Sequence, residues 1–334
     1  MDLRADVRAG CPKRMVYGPC GGVRADGGCE MAPHPCVFDN APFPPATATR
    51  RALPAALTDA SSPFVLADWG VPGGDAAEQR AAAAALAEVA DAVLAGDHQD
   101  RPEFPPTQLA RLAREAGATP WVTLACRDRN RFVLRQELQG LRREGVDVVL
   151  CVTGDGRAYD VAPDVTQVFD LDSVRLTALA AETGVVPAVA ESPVAPPVDL
   201  RPDRLVGKQR AGAGVAVLNH AGTPAAVAAF VGAARAAGLA LPVLAAVAVF
   251  TDSRSAAVLA ALPGLELDPA QIEAVMRASD PVEAGIAAAV AEARALLAIE
   301  GVVGVNLSGL GSGEDWRTGV DVMVETGRRI RAAA

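Results

Sequence analysis

Eight short apolar runs, rich in β-branched residues, alternate with longer Ala-, Leu- and Arg-rich segments from about residue 63 onward. This alternation is typical of βα units on a parallel sheet, and near-continuous apolar strands indicate burial on both faces. The runs are FVLAD (64–68), DAVLA (91–95), WVTLA (121–125), DVVLCV (147–152), VVPAVA (185–190), GVAVLN (214–219), PVLAAVAVF (242–250) and VVGVNL (302–307). Eight units in succession predict a (β/α)8 TIM barrel in preference to a doubly wound open sheet.

Polar residues follow several of these runs. Asp68 ends the first run, Asp97 and His98 follow the second, Asp155 follows the fourth, and Asn219 ends the sixth. Because the strands of such a barrel all end at one rim, where the chemistry of these enzymes is found, these residues predict one polar pocket. No GxGxxG fingerprint or P-loop accompanies them, so a nucleotide-binding βαβ unit is not expected.

Four of the six cysteines lie in the first forty residues, at Cys11, Cys20, Cys29 and Cys36, in a segment rich in Gly and Pro. The spacing C-x8-C-x8-C-x6-C predicts one ligand set, because four thiolates suffice for tetrahedral zinc or for a [4Fe–4S] cluster. The absence of CxxC pairs favours the cluster, and zinc remains the alternative. We therefore predict a metal-binding module over residues 1–45, a linker over 46–60 and the barrel over 61–334.

Charge and hydropathy narrow the classes of partner. The net charge of −9 and the sequence pI near 5.0 argue against nucleic acid, whose binding depends on neutralising phosphates. The longest apolar run, residues 239–250, is too short for the roughly 20 residues that span a bilayer. The first residues show no apolar signal core. We expect a cytoplasmic protein with a small-molecule ligand and no membrane partner.

The stretch WVTLACRDRNRFVLRQELQGLRREGVDVVLCVTGD (121–155) closely resembles the methylenetetrahydrofolate reductase family. VFDLDSV (168–174), KQRAGAG (208–214) and GDHQD extend the resemblance over most of residues 60–310. The cysteine segment resembles the small cysteine-rich domain or subunit that accompanies some of these reductases. The resemblance implies a barrel that reduces 5,10-methylenetetrahydrofolate to 5-methyltetrahydrofolate, in one-carbon metabolism and methionine biosynthesis. The implied electron path runs from NADH, NADPH or another donor through FAD.

The resemblance also implies roles for single residues. Asp68 takes the place of the family's glutamate as the acid, and Asp155 is the carboxylate that favours a cationic iminium. Asn219 stands where the family has a glutamine that holds the pterin or the nicotinamide, and Glu191 is the ionisable group left beside the substrate. The residues implied to contact the cofactor are Asp97, His98, Gln99, Thr123, Thr153, Gly154, Asp155, Phe169 and Lys208.

Two departures from the family leave other functions open. LADWGVPGG replaces the family's FEFFPP at the first strand, and Val189 and Pro193 replace a tyrosine and a histidine after the fifth. One alternative is a flavin-poor, folate-binding barrel that acts as partner of a redox or methyl-transfer protein. Another is a methyltransferase that uses methyltetrahydrofolate. A homo-oligomer and a complex with a redox partner protein are both compatible with the sequence.

Overall fold

A closed barrel of eight parallel strands forms the body of the protein in the computed structural model. The structure describes residues 7–40, 52–59, 61–98, 103–156, 163–262, 264–309, 312–313 and 315–333. The strands are β1 Phe64–Trp69, β2 Ala92–Ala95, β3 Pro120–Ala125, β4 Val148–Val152, β5 Val186–Glu191, β6 Val215–Leu218, β7 Val243–Ala248 and β8 Val302–Ser308. Each overlaps one of the eight predicted runs, and neighbours pair in chain order until β8 closes on β1. The predicted TIM barrel is confirmed.

Helices connect the strands, and several begin at a side-chain cap such as Asp75, Asn130 or Thr223, whose oxygen accepts a backbone N–H of the first turn. Within the described ranges they are α1 Ala76–Leu86, α2 Pro106–Glu115, α3 Arg131–Arg143, α4 Ser173–Thr183, α5 Arg201–Arg210, α6 Pro224–Ala236, α7 Ser253–Ala260, α8 Pro269–Arg277, α9 Pro281–Leu297 and α10 Trp316–Ala333. None of these helices is both long enough and apolar enough to cross a membrane.

Side chains that alternate along the strands fill the barrel interior. Phe64 and Trp121 lie there with their ring centroids 5.4 Å apart, and Leu66 and Leu244 are fully buried beside them. Leu57, from a short 3-10 helix that precedes β1, is 3 % exposed and packs into the same cluster. The predicted linker is described only from residue 52 to 59, and this part of it contributes to the barrel core.

The cysteine segment is described over residues 7–40 and folds without helices. Backbone hydrogen bonds shape it: the Cys29 amide donates to the His34 carbonyl at 2.8 Å, and the Cys36 amide donates to the Gly27 carbonyl at 2.9 Å. Met15, Val23 and Phe38 are its buried apolar side chains. So few apolar residues make a very small core, and the segment depends on the contacts it makes with the barrel.

We expect Leu57→Ala to lower the free energy of unfolding by about 2–4 kcal/mol, because the change leaves a cavity at a position that nothing else fills. Urea denaturation measures the difference. Leu262→Ala is the matched control, since Leu262 is 38 % exposed and its truncation should change stability by less than about 0.5 kcal/mol. Equal effects of the two substitutions would show that residues 52–59 are not part of the barrel core.

Candidate functional site

A polar cavity of about 210 Å³ lies at the C-terminal ends of the strands, between the barrel and the cysteine segment. Its barrel wall comes from the ends of β4 and β5 and from the loops after β2, β3 and β6. Its other wall belongs to the cysteine segment, through Lys13, Cys20, Gly21 and Gly22. The cysteine segment, residues 7–40, therefore covers part of the barrel mouth, and we call it the roof.

Hydrogen bonds fasten the roof to the loop after β4. Lys13 donates to the Gly154 carbonyl at 2.7 Å and forms an ion pair with Glu30 of its own segment. The Glu30 carboxylate also accepts the backbone N–H of Gly156 at 3.4 Å. Because Lys13 is buried and the Glu30 side chain is only 10% exposed, these charge-assisted contacts are largely shielded from water and hold the segment in one position.

A second set of contacts joins the roof to α4. The Val16 amide donates to Asp172 Oδ2 at 2.9 Å, and Arg175 donates to the Arg14 carbonyl at 2.9 Å. Asp172 is fully buried and also caps α4 by accepting the Arg175 amide at 2.9 Å. One carboxylate thus starts a helix of the barrel and positions the cysteine segment.

Four charged side chains form a buried cluster behind the cavity, at the end of β5. The Glu191 carboxylate accepts from Lys208 at 2.9 Å, from Arg204 at 3.0 Å and from Arg201 at 3.4 Å, and every member is less than 5 % exposed. Burial disfavours the Glu191 carboxylate, but the charges of Lys208, Arg204 and Arg201 outweigh it and lower its pKa to about 2. Glu191 is therefore ionised at neutral pH.

The two arginines of this cluster also hold the cysteine segment. Arg201 donates to the Cys20 carbonyl at 2.9 Å, and Arg204 donates to the Pro19 carbonyl. Both side chains belong to α5, whose sequence RPDRLVGKQR reads as an exposed, charged helix. Glu191 fixes the guanidinium groups from one side while the segment's carbonyls accept from the other, so the cluster links β5, α5 and the roof.

Asp68 lies at the end of β1, on the opposite side of the barrel from β5. Its Oδ1 accepts from Asn306 Nδ2 of β8 at 3.1 Å. Burial raises the pKa of Asp68 to about 6, although the Asn306 hydrogen bond and the charge of His98 act to lower it. A carboxyl group with this pKa can hold a proton close to neutral pH and give it to a ligand.

The structure brings together most of the residues predicted to form the site. Asp97, Thr153, Gly154, Asp155, Glu191, Lys208 and Asn219 all line the cavity. Asp68, His98, Thr123 and Phe169 do not line it. Thr123 lies in the middle of β3 and is buried, His98 pairs with Glu103 at 2.8 Å, and Phe169 packs beneath Lys13. Gln99 lies outside the described residues.

Sequence reasoning missed several residues of the site. Arg201 and Arg204 carry no motif, and Lys13, within the CPK of the cysteine segment, was given no role; only the contacts between the segment and the barrel reveal these residues. Asn306 was inside a predicted strand, and its pairing with Asp68 depends on the closure of β8 on β1. Arg127, within CRDRNR, is buried, lines the cavity and pairs with Asp128 at 2.5 Å.

The four clustered cysteines line one small cavity of about 20 Å³ inside the roof, together with Glu30 and His34. All four are free thiols. In the described part of the chain, no three Cys, His, Asp or Glu side chains are arranged as a metal ion requires. The donor set itself suits a thiophilic metal, since four thiols face one space. The metal therefore remains a prediction.

Cys20 lies on the wall of both cavities. Its sulfur is 3.6 Å from Glu30 Oε1, the carboxylate that holds Lys13. The cysteine cavity and the polar cavity at the barrel mouth thus share two residues of their walls, Cys20 and Lys13.

Residues 7–47 match a protein family described as methylene-tetrahydrofolate reductase C terminal. The match covers the cysteine-rich segment and not the barrel. The methylenetetrahydrofolate reductase resemblance stated from the sequence is confirmed for this segment. In this chain the segment precedes the barrel and lies over its mouth, although the family is described for a C-terminal position.

Solved structures resemble the barrel. An uncharacterized protein from Clostridium thermocellum that binds two copies of 5-methyl-5,6,7,8-tetrahydrofolic acid matches with a TM-score of 0.61 and 10% identity. The match covers 84% of this chain and 99% of that one, and at this identity it concerns the fold alone. Tryptophan synthase from M. tuberculosis matches at a TM-score of 0.46 with 14% identity, covering 83% and 96% of the two chains. A 2,3-dimethylmalate lyase matches at 0.48 with 12% identity, covering 77% and 78%. A search of curated proteins gave no match.

The raised pKa of Asp68 predicts a pH-dependent gain in stability for Asp68→Asn. Between about pH 4 and pH 6 the folded state holds a proton that the unfolded state lacks, so this group's contribution to stability is lost as pH rises through about 6. The variant does not lose this stability. Its free energy of unfolding should exceed that of the wild type by about 1–3 kcal/mol at pH 8, and the difference should vanish near pH 4. Urea unfolding at both pH values measures it. A difference independent of pH would contradict the assignment.

Proposed function

We propose that the protein binds a reduced folate at the mouth of its barrel and reduces 5,10-methylenetetrahydrofolate to 5-methyltetrahydrofolate. The observation that carries the proposal is the roofed polar cavity: a segment of the methylenetetrahydrofolate reductase family covers a cavity at the strand ends, where TIM-barrel enzymes do their chemistry. The folate bound by the structurally similar protein from Clostridium thermocellum supports the same ligand class.

The cavity offers the groups that a pterin ring requires. The ring presents adjacent N–H donors and a carbonyl acceptor, and the cavity wall carries the Asp155 carboxylate, the Thr153 hydroxyl and the Asn219 amide. The Asn219 amide nitrogen donates to Ser192 Oγ at 2.8 Å, which orients the amide. In our proposal these side chains hold the pterin, and Asp155 stabilises the positive charge that develops when the imidazolidine ring opens to an iminium.

The cavity and its lysine give no separate support for a bound flavin. The cavity of about 210 Å³ has room for one fused ring system. Lys208, the residue implied to approach the flavin, already donates to Glu191 and to the Ala190 carbonyl. We therefore derive no step through flavin, and the hydride donor in the proposal is a reduced nicotinamide or another reductant.

Asp68 is the proposed proton donor. Opening of the imidazolidine ring needs a proton on the departing nitrogen, and a carboxyl group with a pKa of about 6 supplies it most readily in mildly acidic to neutral solution. Asn306 holds this carboxyl group in place. Because Asp68 lies across the barrel from the cavity wall, the folate must extend over the barrel centre for the transfer to occur.

A second function is favoured by the same small cavity. A barrel that holds only the folate would act as the partner of a separate redox or methyl-transfer protein. In that case the protein would bind 5-methyltetrahydrofolate and would not oxidise a nicotinamide by itself.

Asp155→Asn tests the leading proposal. We expect the substitution to weaken binding of 5-methyltetrahydrofolate or to lower the rate of methylenetetrahydrofolate reduction at least tenfold, because it removes the anion of the cavity wall. Calorimetry measures binding, and nicotinamide absorbance measures the rate. Asp199→Asn is the control, since Asp199 is exposed and does not line the cavity.

Two results of this test separate the hypotheses. Folate binding that depends on Asp155, without turnover by the isolated protein, would support the partner function. No folate binding by the wild type, or equal binding by the wild type and Asp155→Asn, would contradict the proposed site.

A further inference from the structure

The buried charges around the cysteine segment do not cancel. Lys13 is balanced by Glu30, and Lys208 is balanced by Glu191, each within a buried ion pair. Arg201 and Arg204 share Glu191 with Lys208, and their other hydrogen bonds go to backbone carbonyls. An arginine guanidinium is not deprotonated in proteins, so the positive charge of this cluster exceeds the single negative charge of Glu191.

Such an excess is costly to bury unless an anion compensates it. The negative charge of Asp155 acts to raise the pKa of Lys13. Because Asp155 is partly exposed, solvent screens its charge. Both arginines reach the segment that carries the cysteines: Arg201 contacts the Cys20 carbonyl at 2.9 Å, and Arg204 contacts the carbonyl of the preceding residue, Pro19. The unbalanced charge therefore lies directly behind Cys20.

A four-thiolate metal centre carries the opposite excess. Four thiolates around one divalent ion leave two negative charges, and an oxidised [4Fe–4S] core with four thiolates leaves the same. The four thiols line one space, and Cys20 is the thiol that lies nearest to the barrel's polar cavity, since it lines both. The negative excess of such a centre is opposite in sign to the positive excess beside it.

We propose that Arg201 and Arg204 of the barrel are the charge-balancing residues of a metal–thiolate centre in the cysteine segment. In this arrangement the barrel completes the metal site: the cysteines supply the ligands, and α5 supplies the positive charge that lets four thiolates stay close together. The arginines also position Cys20 through its own carbonyl, as partners outside the ligand shell commonly do. The inference rests on the proposed metal role of the segment and is independent of folate chemistry.

Metal affinity of the full chain tests this proposal. The reduced, metal-free protein is titrated anaerobically with Co²⁺ in competition with a chelator, and thiolate-to-cobalt absorption reports occupancy. Arg204→Gln should weaken Co²⁺ binding about 10- to 100-fold, and Arg201→Gln should do so similarly. Arg204→Lys keeps the charge and should retain most of the affinity. Arg142→Gln is the matched control, because Arg142 is also a helix arginine that donates to a carbonyl, that of Thr183, far from the roof.

Glu191→Gln distinguishes charge balance from damage to the cluster. It breaks the same hydrogen-bonded cluster as Arg204→Gln but removes a negative charge, so charge balance predicts unchanged or tighter Co²⁺ binding. Weakening in Glu191→Gln equal to that in Arg204→Gln would overturn the proposal, as would wild-type affinity in both arginine variants or no Co²⁺ binding by the wild type. Thermal unfolding of each variant confirms that folded protein is compared. Folate binding is measured separately, so failure of the folate proposal leaves this result standing.

Discussion

The hydrogen bonds from Arg201 and Arg204 to the carbonyls of Cys20 and Pro19 are the contacts on which the rest of the site depends. They join a segment with a very small core to a barrel that is fully packed without it. Glu191 makes them possible, because it fixes both guanidinium groups in a buried position where water cannot compete. The polar cavity has a second wall because these contacts hold the cysteine segment over the strand ends.

Strand β5 has an unexpected role in this arrangement. The resemblance to methylenetetrahydrofolate reductases implies a tyrosine and a histidine around the end of this strand, where this chain has Val189, inside β5, and Pro193, two residues after it. The end of β5 instead carries Glu191 and, through it, the cations that hold the cysteine segment. The departure from the family and the presence of the roof thus occur at the same place in the fold.

The fold could be predicted from the sequence because buried parallel strands and amphipathic helices leave periodic patterns, as at WVTLA and DVVLCV. The rim position of Asp97, Asp155 and Asn219 followed from the same pattern, since each lies within three residues of the end of a strand. The pairing of Asn306 with Asp68 could not be predicted, because it joins residues 238 positions apart across the barrel closure. The position of the roof could not be predicted either, because it depends on Arg201 and Arg204, which in the sequence resemble the surface residues of an ordinary helix.

Hydrogen exchange with and without 5-methyltetrahydrofolate tests the central claim, that one ligand site lies between the cysteine segment and the strand ends. The account predicts that the ligand slows exchange both in residues 11–22 of the roof and in residues 151–156 after β4, because both form the wall of one cavity. Slowing in the barrel alone, with the roof unchanged or faster, would contradict it, because the ligand would then bind without the roof.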